Sequence, residues 1–289
     1  MAGIIPAAVI AALAAAGIYG GALALIAPRP ERGLLLALLL LELPMSAATF
    51  FLVRRPLDAA LHGALGDSGL YRALTTLYAP LTEEPAKLWP LLLPPLARRV
   101  TREGAMRAGA ALGLGFGLGE IGLLARLILV EPRYAGIPWY QFTGFINERW
   151  MVCLIHAAFT AVAVCAWRRW RGGLALGLPL AMALHFLLNI AIVVVRLSPL
   201  GRYPVVASTL LSLWVAGFWC GAIVLLVVLN RATTSVPATT PGLFGEAICP
   251  ECGRVYARSA LALNLGARRL ERCPHCGRWH LVPQFTPKY

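Results

Sequence analysis

Two glutamates and a lysine lie one helical turn apart in a segment that is otherwise apolar. Glu83, Glu84 and Lys87 belong to the stretch Leu-Thr-Glu-Glu-Pro-Ala-Lys-Leu-Trp-Pro. On a helix the ammonium of Lys87 can reach either carboxylate, whereas the two neighbouring glutamates point about 100° apart around the axis. One carboxylate can therefore be held in an ion pair while the other stays free to act as a general base.

Three more apolar segments carry residues of the types that hydrolysis uses. Glu120 follows four alternating glycines, which should let another helix approach closely and bring Glu120 against it. Glu120 shares a helix face with Phe116, four residues earlier. The next apolar segment contains His156, and the one after it contains His185 and Asn189 at a spacing that stacks the two side chains. Hydrolysis of a peptide bond needs a base for water, a stabiliser of the oxyanion and a proton donor, and these side chains supply all three.

The elements that must position these residues are membrane helices. The chain has 289 residues, 59% hydrophobic and 13% charged, and its mean hydropathy of +0.71 excludes an ordinary water-soluble domain. About 20 apolar residues span a bilayer, and an open sheet cannot satisfy its backbone there, so we predict an all-α polytopic membrane protein of about seven transmembrane helices. The candidate segments are residues 4–27, 33–53, 73–96, 105–130, 150–167, 174–196 and 205–229.

An ionisable side chain at the centre of a membrane helix costs about 2.5–3.5 kcal/mol to insert. A single such residue is as often a packing group as a functional one, and for Glu42, His62 and Arg126 we favour packing or a side chain that reaches the headgroups. Four successive segments with acidic, histidine or amide groups are different, because the costs add up and the groups must converge to satisfy one another. We therefore expect one shared site.

Basic residues determine the expected topology. The formal net charge is +13, but the arginines concentrate at the ends of apolar segments, where they bind headgroups, so nucleic acid is not an expected partner. With the N-terminus outside, three arginine-rich stretches share one side, and the positive-inside rule places the C-terminus in the cytoplasm. These stretches contain Arg29 and Arg32, then Arg98, Arg99, Arg102 and Arg107, and then Arg168, Arg169 and Arg171. The opposing loops hold Arg54, Arg55, Arg72, Arg133, Arg149 and Arg202.

Four cysteines near the C-terminus have the spacing of a structural zinc site. Cys249 and Cys252 form one C-x2-C pair, Cys273 and Cys276 form another, and 20 residues separate the pairs. Disulfides are the alternative, but they require an oxidising compartment, whereas the charge bias places this part of the chain in the cytoplasm. We predict a small β-rich zinc ribbon with structural zinc bound by these four thiolates, since the metal supplies the folding free energy that so small a core lacks.

A change in composition marks the boundary of the ribbon. After the last apolar segment the chain becomes rich in threonine and proline and loses its apolar periodicity. We therefore divide it into a transmembrane domain of residues 1–230, a linker of residues 231–246, and a cytoplasmic zinc ribbon of residues 247–289.

The polar motifs resemble those of PrsW-type intramembrane proteases, which are related to the CAAX prenyl endopeptidases and to bacterial Abi/CPBP proteins. The family signature appears in order as EEPAK, FGLGE, HAAFT and HFLLN, over the third to the sixth apolar segment. The resemblance implies an intramembrane endopeptidase in a bacterial-type plasma (inner) membrane, with a single-pass membrane protein such as an anti-sigma factor as substrate. The residues it implicates in catalysis are Glu83, Glu84, Lys87, Glu120, His156, His185 and Asn189.

The resemblance also implies roles for these residues. Glu83, helped by His156 or His185, activates water, while Glu84 is oriented by Lys87. Asn189 and one of the histidines stabilise the oxyanion.

Three alternatives share the same polar cluster. In a zinc metalloprotease, His156, His185 and Glu120 would ligate the metal and Glu83 would act as base, and the spacing alone does not choose between glutamate and zinc catalysis. A proton-coupled transporter or channel would use the same groups as a proton relay. A membrane sensor or scaffold would keep them without catalysis.

Overall fold

The computed structural model of the chain describes residues 3–197, 202–233, 246–258, 262–265 and 268–283. Its α-helices are α1 (Ile4–Ala15), α2 (Gly21–Ile26), α3 (Arg29–Glu42), α4 (Met45–Thr49), α5 (Arg55–Leu65), α6 (Gly69–Thr75), α7 (Tyr78–Ala86), α8 (Pro94–Ala97), α9 (Ala105–Leu129), α10 (Thr143–Arg169), α11 (Leu174–Leu197) and α12 (Pro204–Thr233). Two π-helical turns, Ala16–Gly20 and Phe50–Arg54, join α1 to α2 and α4 to α5. Three 3-10 turns are Trp89–Leu92, Pro132–Tyr134 and Trp139–Phe142.

Six helices of the described residues are long and apolar enough to cross a membrane, by length and composition. They are Ile4–Ile26, Arg29–Leu65, Ala105–Leu129, Trp139–Arg169, Leu174–Val195 and Pro204–Asn230. Each of these helices covers one of the predicted segments, although some of the helices end one residue earlier than predicted. The molecule is therefore mostly helical, with six candidate membrane-spanning helices rather than the predicted seven.

The predicted span at residues 73–96 is broken into short pieces. It contains α7, the 3-10 turn Trp89–Leu92 and α8 instead of one continuous helix. Pro85 lies inside α7, Pro90 is the second residue of the 3-10 turn, and Pro94 is the first residue of α8. Because proline lacks the backbone N–H and clashes with the preceding turn, a segment with so many prolines cannot propagate a single helix.

The centre of the helical domain is α10, which packs against α9, α11, α12 and α1. Alternating glycines on two faces of α9 allow neighbouring helices to approach closely, as predicted. A Cβ on Gly113 would collide with the backbone of His156 in α10, and a Cβ on Gly115 would collide with the backbone of Leu39 in α3. The backbones of α10 and α3 therefore contact the backbone of α9. This close packing brings the polar residues of the three helices near one another.

The C-terminal region contains two small antiparallel sheets. Strands β1 (Glu246–Ile248) and β2 (Val255–Ala257) pair with each other, and β3 (Leu263–Leu265), β4 (Arg268–Arg272) and β5 (Trp279–Pro283) form a sheet in that order. Each C-x2-C pair is followed directly by a glycine with positive φ, which is 69° at Gly253 and 71° at Gly277. These glycines close the tight turns that bring the cysteines together.

The boundary between the two regions is described only in part. Helix α12 continues to Thr233, and the first strand begins at Glu246. Most of the predicted linker at residues 231–246 lies outside the described residues.

Candidate functional site

The carboxylate of Glu84 lies at the centre of the polar cluster. Its Oε1 accepts a hydrogen bond from Lys87 Nζ at 2.5 Å and one from His185 Nδ1 at 2.6 Å. All three side chains are buried, and Lys87 is 0% exposed. The ammonium thus pairs with one of the two adjacent glutamates, the arrangement that the spacing of the motif predicts.

The neighbouring carboxylate of Glu83 is only half satisfied. Its Oε1 accepts a hydrogen bond from Arg54 Nη1 at 2.7 Å. Its Oε2 is buried, has no hydrogen-bond partner among the described residues, and lies 3.9 Å from His185 Nε2. That distance is too long for a direct hydrogen bond and suits a single bridging water.

His156 connects Lys87 to Glu120. Its Nδ1 lies 2.8 Å from Lys87 Nζ, and its Nε2 lies 3.2 Å from Glu120 Oε2. Because a lysine ammonium only donates, Nδ1 accepts and Nε2 carries the proton that is donated to Glu120. The ring contacts Phe116 edge-on at 5.6 Å between centroids and His185 at 5.4 Å. Both nitrogens of His156 are therefore occupied.

An arginine closes the outer side of the cluster. Arg149 Nη1 donates to Glu120 Oε2 at 3.2 Å, and its Nη2 donates to Glu148 at 2.5 Å. Glu120 thus neutralises Arg149 and orients the imidazole of His156, and it has no direct contact with the unpartnered oxygen of Glu83 among the described residues.

Asn189 lies apart from these contacts. It is half-buried on α11, one turn after His185. Among the described residues its carboxamide makes no hydrogen bond to the carboxylates or histidines of the cluster, so the structure does not bring it together with them.

Three groups of the cluster have the geometry to hold a metal ion. Glu83, His156 and His185 each place one ligand atom within 4.8 Å of the others. This set differs from the predicted one, because Glu83 takes the place of Glu120, which lies behind His156. A metal at this position would have to displace one of the hydrogen bonds that His156 makes to Lys87 and Glu120.

Two arginines of the site were not among the predicted site residues. The sequence pattern places Arg54 and Arg149 among the loop charges that oppose the three arginine-rich stretches. Arg149 had a signal, since it precedes His156 by seven residues, or two turns of α10. Arg54 had none, because it reaches Glu83 from a π-helical turn 29 residues earlier in the chain.

Glu42 is buried near the cluster without a partner. It is 0% exposed, and neither of its carboxyl oxygens makes a hydrogen bond among the described residues. Its carboxyl interacts electrostatically with Lys87. It makes none of the contacts described above, and its complete burial excludes a side chain that reaches the headgroups.

The four C-terminal cysteines form a second candidate site. Their sulfurs lie within 4.8 Å of one another, with Cys249 to Cys276 at 3.6 Å and Cys252 to Cys273 at 3.9 Å. Four thiolates on one zinc at about 2.3 Å would lie about 3.8 Å apart, so the observed spacing fits a tetrahedral metal centre and not disulfides.

His280 supports the cysteine cluster from one side. Its Nε2 lies 3.3 Å from Cys249 Sγ, and burial lowers the pKa of its imidazole below the ordinary value. A neutral imidazole can donate one N–H to a thiolate, which is the way metal ligands are commonly held.

The polar cluster therefore joins one acid with an unpartnered oxygen, a second acid that accepts two hydrogen bonds on one oxygen, and two histidines, all from the described residues of the helical domain. The two histidines come from α10 and α11, and the two acids from α7. No family model, curated protein or solved structure matched the chain in the comparisons with known proteins.

Proposed function

We propose that this protein is an intramembrane endopeptidase that hydrolyses peptide bonds of a membrane-spanning substrate. The observation that carries the proposal is the pair of atoms Glu83 Oε2 and His185 Nε2, which lie 3.9 Å apart in the interior of the helical domain. Glu83 Oε2 is buried and has no hydrogen-bond partner in the part of the chain that the structure describes. Polar groups placed in this way hold a water molecule, and a carboxylate beside that water is a general base.

The hydrogen bonds of His185 make it a partner of this base. Its Nδ1–H donates to Glu84 at 2.6 Å, so Nε2 carries a lone pair. A water between Glu83 and His185 can then donate one hydrogen to each of them, and its own lone pair stays free to attack. Lys87 holds Glu84 in place, which fixes this tautomer of His185.

The proposed reaction proceeds in two steps. Glu83 takes a proton from water while the water oxygen forms a bond to the carbonyl carbon, and the C=O π pair moves onto the carbonyl oxygen. The tetrahedral intermediate then collapses as that pair re-forms C=O, the C–N bond breaks, and protonated Glu83 delivers its proton to the leaving nitrogen. One water is consumed, and Glu83 returns to its starting state.

The topology we propose has seven crossings, with the N-terminus outside and the C-terminus in the cytoplasm. Gly3 N–H donates to the carbonyl of Ile137, which supports placing the start of α1 beside the loop between α9 and α10. Arg107 pairs with Glu31 at 2.7 Å, which supports placing the starts of α9 and α3 at the opposite end. Residues 66–104 would then return the chain across the membrane as the broken seventh segment.

The resemblance of the four motifs to PrsW-type proteases supports a single-pass membrane substrate, such as an anti-sigma-factor-like protein. Bond cleavage inside the helical bundle is consistent with such a substrate, since an apolar segment can enter from the lipid. The plasma membrane is the proposed location.

Cleavage of single-span reporter proteins by the purified protein in liposomes tests the proposal. Glu83→Gln and His185→Gln should each lower the cleavage rate by about 10²–10⁴-fold, the usual contribution of general acid–base groups. Two matched substitutions serve as controls. His62→Gln changes an exposed histidine that contacts Asp67, and Glu131→Gln changes an exposed loop glutamate.

Both controls should cleave at the rate of the natural sequence. Equal rates for Glu83→Gln and Glu131→Gln would refute the role of Glu83. A complete lack of cleavage across several reporters would instead favour the transporter or sensor alternatives.

Zinc catalysis is the second candidate, because Glu83, His156 and His185 have ligand atoms within 4.8 Å of one another. In that case these three residues would hold the metal, which would supply a Lewis acid and a bound water of lowered pKa. Zinc content per chain decides between the two. We expect one zinc, bound by the ribbon, and cleavage that survives strong chelation. Two zinc ions per chain together with chelator-sensitive cleavage would establish the zinc mechanism instead.

A further inference from the structure

Arg54 has a contact with the proposed base and further hydrogen-bonding capacity. Its Nη1 donates to Glu83 Oε1 at 2.7 Å, and this is its only hydrogen bond to a described residue. Its Nε is buried and finds no acceptor within the described ranges, although the side chain as a whole is 28% exposed. A buried N–H without an acceptor costs about 1–3 kcal/mol, so an acceptor that enters here is bound favourably.

The other two cations that contact the cluster, Lys87 and Arg149, each bind two partners already. Lys87 is completely buried and divides its ammonium between Glu84 and His156. Arg149 pairs with both Glu120 and Glu148. Neither has the combination of exposure and an unpartnered donor that Arg54 has.

Asn189 is the oxyanion donor that the resemblance implies, and it differs from Arg54 in its contacts with the proposed base. Its carboxamide makes no described hydrogen bond to the cluster, whereas Arg54 is bonded directly to Glu83. An oxyanion donor must lie beside the base, since the water and the carbonyl oxygen are attached to the same carbon during attack.

The backbone at Arg54 is also unusual. Arg54 is the last residue of the π-helical turn Phe50–Arg54, and Arg55 begins the next α-helix. π-Helical turns widen a helix locally and frequently mark functional positions. Here the turn directs Arg54 inward onto Glu83, while the adjacent Arg55 is exposed.

We propose that Arg54 binds the carbonyl oxygen of the scissile peptide bond and stabilises the oxyanion that forms on it. This inference rests on the proposed function. The guanidinium is always protonated and presents several N–H groups in one plane, so it can hold Glu83 with one and the substrate oxygen with another. As water attacks, the C=O π pair becomes a negative charge on that oxygen, and the nearby cation stabilises it more than it stabilises the neutral carbonyl.

The first test compares substitutions at two adjacent arginines in the reporter assay. Arg54→Gln should lower kcat by about 10²–10³-fold, the loss typical of one oxyanion donor, with a much smaller effect on KM. Arg54→Lys keeps the charge but not the planar donors, so its kcat should lie between the kcat of the natural protein and that of Arg54→Gln. Arg55→Gln is the matched control and should keep the natural kcat.

The second test separates oxyanion binding from mere positioning of Glu83. A reporter peptide with a phosphonate in place of the scissile bond carries a tetrahedral anion, and its binding does not require a base. In a Glu83→Gln background, Arg54→Gln should still weaken phosphonate binding about 10²-fold while binding of the uncleaved peptide stays unchanged. A residue that only positions Glu83 would leave phosphonate binding in this background intact.

The outcomes distinguish the two proposals. If the natural protein cleaves and Glu83→Gln does not, but Arg54→Gln matches Arg55→Gln in kcat and in phosphonate binding, the inference about Arg54 is wrong and the protease proposal stands. If the natural protein neither cleaves reporters nor binds the phosphonate, the protease proposal fails and this inference fails with it.

Discussion

At the scale of single residues, two adjacent glutamates with the same chemistry have opposite environments. Glu84 accepts two short hydrogen bonds from Lys87 and His185, and all three groups are buried. Glu83 has one paired and one unpartnered oxygen, and its partner Arg54 is 28% exposed. We infer that Glu84 mainly maintains the site and that Glu83 is the group left free to react.

This difference predicts opposite effects of the same substitution on stability. Glu84→Gln would leave the ammonium of Lys87 buried without its counter-charge, which should cost about 3–5 kcal/mol in the free energy of unfolding. Glu83→Gln should cost much less, because the exposed part of Arg54 can be solvated. Thermal unfolding of both variants in the same detergent, followed by tryptophan fluorescence, measures the difference. Equal midpoints for the two variants would contradict this assignment.

At the scale of helices, α9 positions the site because its small residues allow two neighbours to approach. Gly113 faces the backbone of α10 at His156, and Gly115 faces α3 at Leu39. The alternating glycines predicted this close packing from sequence, since only small residues permit backbone contact between membrane helices. The pattern could not say which helix lies on which face, because glycine carries no information about its partner.

A single methyl group on α9 should therefore disturb the site. Gly113→Ala places a Cβ against the backbone of His156, which must move, and we expect a loss of at least about 1–3 kcal/mol in stability together with reduced cleavage. Gly122 is the matched control on the same helix, since a Cβ there meets nothing within 4 Å. Thermal unfolding and the reporter assay test both variants. If Gly113→Ala behaves like Gly122→Ala, the close packing of α9 on α10 is not required.

At the scale of the whole molecule, the cysteine-rich region contacts the helical domain through ion pairs to α3 as well as through packing of β5 against α2. Glu251 lies between the first two cysteines, its side chain is 6% exposed, and it pairs with Arg29 at 3.0 Å and Arg32 at 3.9 Å. Both arginines lie at the start of α3. The turn that would be shaped by bound zinc is thus the same turn that contacts the helical domain.

Metal removal should therefore release this contact. A zinc chelator should unfold the ribbon, because metal binding supplies most of the folding free energy of so small a domain, and Glu251→Ala should release the contact with the ribbon still folded. In both cases amide hydrogen exchange of residues 27–32, measured by mass spectrometry, should become faster. Arg254→Ala changes an exposed residue near Glu251 and should leave the exchange unchanged.

A second variant checks that charge pairing is responsible. Exchanging the charges, with Glu251→Arg combined with Arg29→Glu, should restore slow exchange in part. Unchanged exchange in Glu251→Ala would show that the pair does not hold the two regions together.

The sequence by itself determined the helical class of the molecule, the position of the candidate membrane-spanning helices, the cysteine cluster and most residues of the polar cluster, but not Arg54 or Arg149. These properties depend on hydropathy, on spacing and on the cost of buried charge, all of which are local or additive along the chain. The predicted span at residues 73–96 is instead broken into short pieces, because the prolines between residues 80 and 95 interrupt an otherwise apolar segment.

Only the tertiary structure decided how the polar groups divide their contacts. It showed that Glu84 accepts two hydrogen bonds on one oxygen, while one oxygen of Glu83 has no partner among the described residues. It also showed that Glu120 lies behind His156 and that Arg54 reaches the site from a distant π-helical turn. These facts depend on the distances between side chains that belong to separate helices. Helix packing sets such distances, and no spacing along one chain segment contains them.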